Sequence, residues 1–306
     1  MNNINHEVGW GNAPADTAQM YIKKCSDFVE DEVAFSKFRD DVDYGKILSG
    51  GEYIVGRMAL DEISKLGMTG YLNECKDLIY MLDKIGGPKL HTYDEIVSVS
   101  PSALRYFSLI CQLKKNIIGE KNVDSVIEIG GGFGGFALLF SLIHKPKKYY
   151  IVDLPQPLEL CKKYLSKYKL IETECIFIRS DQISSNTHID NYDLFISDSA
   201  FSECSLSVQN NYIDNFANKS SLGAVVWNTF ELKNGIHELS NLCNRLYRSS
   251  NLLINSQVLN NRGVYIFMNN LNKFKYSNYD TKFKMLELYA RKYAGQIKSY
   301  FRNKLH

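Results

Sequence analysis

Between Val126 and Gly135 the chain reads Val-Ile-Glu-Ile-Gly-Gly-Gly-Phe-Gly-Gly, an apolar run that closes on five glycines in six positions. Missing β-carbons let a ligand approach the backbone closely, and the free N–H groups at a helix start can bond to it. A tight turn that needs glycine only for packing is the plainer explanation, and five glycines make it a poor one. Two ligand fingerprints fit equally well. Gly130, Gly132 and Gly135 satisfy the GxGxxG of dinucleotide sites. Gly130, Gly132 and Gly134 satisfy the GxGxG loop of S-adenosylmethionine (SAM) methyltransferases. Glu128, two residues before the first glycine, favours the second; so does the position of the loop deep in the chain, behind a helical segment. No Gly-Lys-Ser/Thr follows, which excludes a phosphate-binding P-loop.

The next strand-like run, Tyr149-Tyr150-Ile151-Val152, ends on Asp153 and Leu154. An acidic side chain about twenty residues beyond a glycine loop can accept from both ribose hydroxyls, in SAM and NAD alike. A helix cap before Pro155 is the structural alternative for Asp153. The third run ends Arg179-Ser180-Asp181-Gln182, which places Asp181 where it can accept the adenine amino proton, or serve simply as a turn residue.

These residues need a scaffold to bring them together. The pattern predicts strands near Val126–Ile129, Tyr149–Val152, Cys175–Ile178, Leu194–Ser197 and Ala224–Trp227. Helices are predicted over Phe136–Ile143, Leu158–Tyr168, Val208–Ala217 and Glu238–Arg248. Such alternation means βαβ units and a parallel sheet with helices on both faces. Two further runs, Leu252–Leu259 and Val264–Met268, are joined by Asn-Asn-Arg-Gly, so the last strand is expected to be antiparallel. The expected division is a helical N-terminal cover over residues 1–120, a ligand-binding α/β domain over 121–270 and a basic amphipathic helix over 271–306. Within the cover, Ser100 before Pro101 reads as a helix cap. The acidic stretch Asp27–Asp43 reads as a solvated helix and loop.

The net charge of +2 conceals a split. Residues 271–306 hold nine Lys or Arg against Asp280 and Glu287, leaving the remainder at −5. An acidic body argues against nucleic-acid partners. The basic tail is expected to dock on the body or on a second copy, or to meet anionic lipid. The seven cysteines are scattered and form no CxxC pair, so free thiols and a cytoplasmic setting are expected.

The combination of stretches resembles the bacterial sugar O-methyltransferase family found among surface-polysaccharide genes. The matching segments are Ile85–Leu90 (IGGPKL), Ser100–Tyr106 (SPSALRY), Val126–Ala137 (VIEIGGGFGGFA), Tyr149–Leu165 and Ile196–Ser205 (ISDSAFSECS), with Gln209 and Tyr212 following. Where that family is expected to carry Ser-Asn-Tyr, this chain has Ser197-Asp198-Ser199.

The resemblance implies a Rossmann-like class I SAM methyltransferase fold and methyl transfer to a sugar hydroxyl of a surface polysaccharide or its precursor. Glu128, Gly130, Gly131, Gly132, Gly134, Asp153, Leu154, Asp181, Gln182, Ser197 and Tyr106 are the residues expected to hold the donor. Arg105 and Tyr106 could reach its methionine carboxylate or pack an amphipathic helix. A sugar hydroxyl is a weak nucleophile, so a general base is required. Strand-end positions nominate Glu203 and His237 for that role. Asp198 and Glu203 could instead hold Mg²⁺, a thin case on two oxygen ligands, and no metal is expected. The alternatives are an NAD-dependent oxidoreductase and a non-catalytic SAM-fold subunit that binds a partner.

Overall fold

A computed structural model describes residues 15–48, 51–183, 191–228, 251–255 and 263–269. The helix expected over Glu238–Arg248, His237, and the basic tail over 271–306 lie outside the described residues.

The first described part is helical: α1 (Ala15–Glu30), α2 (Glu32–Ser36), α3 (Val42–Leu48), α4 (Tyr53–Lys65), α5 (Thr69–Met81) and α6 (Pro101–Leu113). Ser100 caps α6 as its sequence predicts, accepting the Ala103 N–H at 3.2 Å with Pro101 in the first turn. The helix then widens into a π-helical turn over Lys114–Ile118. Strands and helices alternate from there: β1 (Ser125–Ile129), α7 (Gly135–His144), β2 (Lys148–Asp153), α8 (Pro155–Leu165), β3 (Glu174–Arg179) and β4 (Tyr192–Asp198). Next come α9 (Ala200–Glu203), α10 (Leu206–Asn215), β5 (Ser220–Asn228), β6 (Asn251–Asn255) and β7 (Gly263–Asn269).

The seven strands form one sheet in the order β3-β2-β1-β4-β5-β7-β6. The five from β3 to β5 are parallel, and β7 runs antiparallel between β5 and β6. This is the class I methyltransferase arrangement: mostly parallel, with an antiparallel last strand. The apolar alternation of β1 to β5 and of β7 feeds two cores. Val126, Tyr149, Ile151 and Leu194 face one, packed under α7, α8 and the N-terminal helices. Ile127, Ile129, Val152 and Phe195 face the other, under α9 and α10. The first core is continuous from Tyr21 in α1 to Phe267 in β7, so the N-terminal helices and the sheet bury one another.

The acidic stretch Asp27–Asp43 departs from its solvated reading. Asp31 caps α2, and Asp41 pairs with Lys24 at 2.7 Å, as expected of a charged surface. Phe35 and Phe38 inside it are buried, however, and Arg39 is sequestered with Asp83 at 2.9 Å. That guanidinium also donates to the Ser100 and Ser102 hydroxyls and to the Leu82 carbonyl. The cost of burial is offset because both terminal nitrogens of the guanidinium donate to oxygens, one of them a carboxylate. No helix among the described residues is long and apolar enough to cross a membrane.

Candidate functional site

Strand order reverses between β1, which leads towards β2 and β3, and β4, which leads towards β5. In open α/β sheets the crevice beyond the carboxyl ends at such a reversal is where ligands bind. The glycine turn occupies that end of β1. Its Gly130 N–H donates to the Val152 carbonyl of β2 at 2.8 Å, which ties the turn to the neighbouring strand.

Two glycines there are required by geometry. Gly130 has φ +80°, and a β-carbon on it would lie 2.1 Å from the Ala200 β-carbon. Gly134 has φ +90°, with the Cys161 sulfur 2.8 Å from where its β-carbon would stand. Left-handed backbone disfavours any other residue, and the contacts forbid one. The turn is thereby pressed against the start of α9 on one side and against α8 on the other.

Asp153 ends β2 beside the turn. Its carboxylate accepts the Gly132 N–H at 3.0 Å and the Leu154 N–H at 2.7 Å. Burial pushes its pKa up to about 7, against the lowering pull of those amides. Glu128, the penultimate residue of β1, is buried and accepts the Tyr149 hydroxyl at 3.0 Å. Burial raises it to about 8, and the charges of Asp198 and Asp153 add to the rise. Three carboxyls therefore converge on the ends of β1, β2 and β4.

Asp198, the last residue of β4, forms an ion pair with Arg105 of α6. Burial works against the charge on Arg105, and Asp198 together with Tyr106 and Tyr265 outweighs it, keeping the guanidinium protonated. That guanidinium lies 4.7 Å over the ring of Tyr106, and its Nε is buried with no protein partner. Ser199 follows Asp198 with φ +74° and ψ −40°, a conformation that non-glycine residues rarely adopt. Its N–H is held by the Val226 carbonyl at 3.0 Å. Strain of this kind persists where neighbours enforce it and collects at functional sites.

The other expected residues are placed as follows. Gly131 is buried and its amide also acts on Asp153; Leu154 is buried. Tyr106 is buried against Phe133 of the glycine turn and Phe136 of α7. Ser197 is fully buried, donating to the Ile129 carbonyl at 2.8 Å and accepting the Phe201 N–H at 3.0 Å. Both functions of its hydroxyl thus brace β4 to β1 and cap α9. Asp181 and Gln182 sit exposed after β3, and Asp181 makes a two-point contact with Arg179 at 2.7 and 3.0 Å. Glu203 is half-buried at the end of α9. His144 lies at the opposite end of the sheet, stacked on Phe140, its pKa lowered by burial to about 4. Among the described residues no group of three metal-binding side chains gathers.

Sequence reasoning gave Arg39 no part in the site. Its guanidinium lies 5.0 Å over the ring of Phe133, inside the glycine turn, while the backbone N–H of Arg39 donates to the Gly86 carbonyl. It therefore pins the Ile85–Pro88 loop, the start of α6 and the glycine turn to one point. Nothing in residue type or spacing marks it out.

No family model matches the chain. A 48-residue stretch is 38% identical to an uncharacterized protein of Methanocaldococcus jannaschii, covering 16% of this chain and 13% of that relative. Among solved structures, TrmK of M. capricolum in complex with S-adenosylhomocysteine is similar at 17% identity and TM-score 0.39, over 55% of this chain and 70% of that one. The methyltransferase domain of bacterial CtHen1 is similar at 12% identity and TM-score 0.43, over 54% and 97%. An O-methyltransferase family protein from Burkholderia thailandensis gives 11% and 0.40, over 54% and 58%. At these scores the fold assignment rests on this chain's own strand order and register.

Proposed function

We propose that this protein is a SAM-dependent O-methyltransferase that methylates a sugar hydroxyl of a surface polysaccharide or its precursor. The observation that carries the reading is the Asp153–Gly132 hydrogen bond, which joins the acid ending β2 to the glycine turn ending β1 in a single cradle. The dinucleotide alternative calls for a second βαβ half, with a sixth strand parallel beside the fifth. Here β7 pairs antiparallel with β5 in that place. A pyrophosphate would also have to settle beside the Asp153 carboxylate, whereas a sulfonium cation is favoured there.

The residues fit the donor. N–H groups of the glycine turn and the Asp153 carboxylate would hold the ribose, and Asp181 and Gln182, which follow β3, would meet the adenine. The Arg105–Asp198 pair presents a cation beside an anion, complementary to the carboxylate and ammonium of an amino-acid end. Its unpartnered Nε supplies a further donor. SAM supplies an electrophilic methyl and a neutral thioether leaving group. The protein must then align the acceptor oxygen and remove its proton. Glu203 and His237 remain the proposed bases.

The sugar acceptor rests on the matching segments SPSALRY, VIEIGGGFGGFA and ISDSAFSECS. The acidic body sets the protein against nucleic acid, and the basic tail suits a site at or near an anionic membrane surface on the cytoplasmic side. Calorimetric titration of the full chain with SAM, S-adenosylhomocysteine and NAD tests the donor. Binding of both adenosyl ligands without NAD is expected; NAD binding alone would overturn the reading. Methyl transfer from labelled SAM to nucleotide sugars and to lipid-linked glycans then tests the acceptor.

A further inference from the structure

The N-terminal segment packs on the glycine turn through Phe38 and Arg39, and one hydroxyl among its helices lacks a protein partner. Tyr44 of α3 is 1% exposed. Its ring stacks on Tyr21 of α1 at 5.7 Å and meets Phe28 and Phe38 edge-on at 5.3 and 5.8 Å. Phe38 in turn packs on Phe133 of the glycine turn at 5.5 Å. Phenylalanine would serve this aromatic packing equally well, as it does at positions 28, 35 and 38. The phenol oxygen nevertheless finds no protein hydrogen-bond partner. A buried hydroxyl left unpaired is unfavourable in the free protein and asks for an explanation.

Its surroundings supply one. Besides burial, the groups acting electrostatically on the hydroxyl are Cys25 of α1, then Tyr106, Asp153 and Cys161. The last three border the cradle. Asp153 holds the Gly132 N–H, Tyr106 backs Phe133, and the Cys161 sulfur lies against Gly134. An ionised Asp153 can only accept, so it takes the O–H donors of a ribose. The ribose oxygens then still have lone pairs to offer, and these call for a donor from the protein.

Resting on the donor site proposed above, we propose that Tyr44 donates its hydroxyl to the ribose of the adenosyl ligand held by Asp153, and that α1 and α3 close over that ligand. The donor site is thus completed by the N-terminal helices, and Tyr44 is a positioning residue within it.

The test is Tyr44→Phe, which removes one oxygen and keeps the packing. S-adenosylhomocysteine and adenosine are titrated into wild type and variant, and thermal unfolding of both free proteins is followed. Each ligand is expected to bind about five- to tenfold more weakly to the variant, as for the loss of one neutral hydrogen bond. The free variant should melt at the same temperature or higher, since an unpaired hydroxyl has gone. Wild type that binds neither ligand would sink the donor site itself. Wild type that binds both, with the variant within twofold, would sink only the role of Tyr44. Loss for S-adenosylhomocysteine but not adenosine would move the hydroxyl away from the ribose and overturn the assignment. A variant that melts several degrees lower would mark Tyr44 as structural and overturn it too.

Discussion

Asp153→Asn should make the free protein more stable at pH 8 while weakening its ligand binding. Burial holds the Asp153 pKa near 7, about three pH units above an ordinary aspartate. Ionising it in the folded state is therefore penalised by roughly 4 kcal/mol. The sign follows from proton counts. Between about pH 4 and pH 7 the folded protein keeps this proton and the unfolded chain has lost it, so stability falls as pH rises. The slope from this one group is about −1.4 kcal/mol per pH unit, flattening above pH 7. Asparagine has no such slope. It does have one acceptor oxygen where the carboxylate has two, so either the Gly132 or the Leu154 N–H loses its partner. That loss costs about 1–3 kcal/mol. The balance at pH 8 favours the variant by roughly 1–3 kcal/mol, and near pH 4 the advantage disappears or reverses. Urea unfolding of both proteins at unit intervals from pH 4 to pH 9 measures the difference. Glu128 titrates in both and largely cancels. S-adenosylhomocysteine should bind the variant about 10–100-fold more weakly, as for lost hydrogen bonds to a charged group. A stability difference that stays constant across this pH range would refute the account of Asp153 as a buried, proton-holding carboxyl.

Further expectations follow from neighbouring residues. Gly130→Ala should cost about 2–4 kcal/mol in urea unfolding, through left-handed strain and the clash with Ala200, and should abolish adenosyl-ligand binding. Adding Ala200→Gly should recover the steric part alone; no recovery would argue against that contact. Arg105→Met leaves Asp198 without its cation and should cost about 2 kcal/mol, below the value for a fully buried pair because Arg105 is partly exposed. Asp198→Asn in the same chain should restore most of it, which a double-mutant cycle in urea reads directly. Glu203→Ala or His237→Ala should lower turnover at saturating SAM by about 100-fold or more. Near-normal rates in both would remove the two as candidate bases.

What could be read from the sequence was whatever rests on local pattern. Apolar runs bounded by turn residues located the seven strands among the described residues, because a strand's apolar signal lies in its own residues. The Ser100-Pro101 start of α6 and the glycine turn were legible for the same reason. The Asn260–Gly263 link foretold the antiparallel pairing of β6 with β7. Hidden from it was everything decided by partners far along the chain. Arg39 sits in an acidic stretch and looks solvated, yet its partners Asp83 and Ser100 are 44 and 61 residues away. Arg105 meets Asp198 across 93 residues. Tyr44 is one tyrosine among twenty, and nothing in its sequence context marks it out. Charge and spacing cannot reveal which polar groups folding brings together in the interior.

Those long-range contacts also bear on why the acids converge where they do. Glu128 and Asp153 are each held well above their ordinary pKa by burial, and the Asp198 and Asp153 charges lift Glu128 further. A fold selected for stability alone would place amides or apolar residues at such positions, since a buried carboxyl is stabilising only when paired. Arg105 neutralises Asp198 but leaves the mean charge beside the glycine turn negative once Asp153 ionises. A positively charged ligand seated there would relieve the repulsion, lower the pKa of Asp153 and release a proton as it binds. On the proposed function, the uncharged thioether formed by transfer would gain less from the same field. The local negative charge would then discriminate between a cationic donor and its neutral product, and would help the product leave.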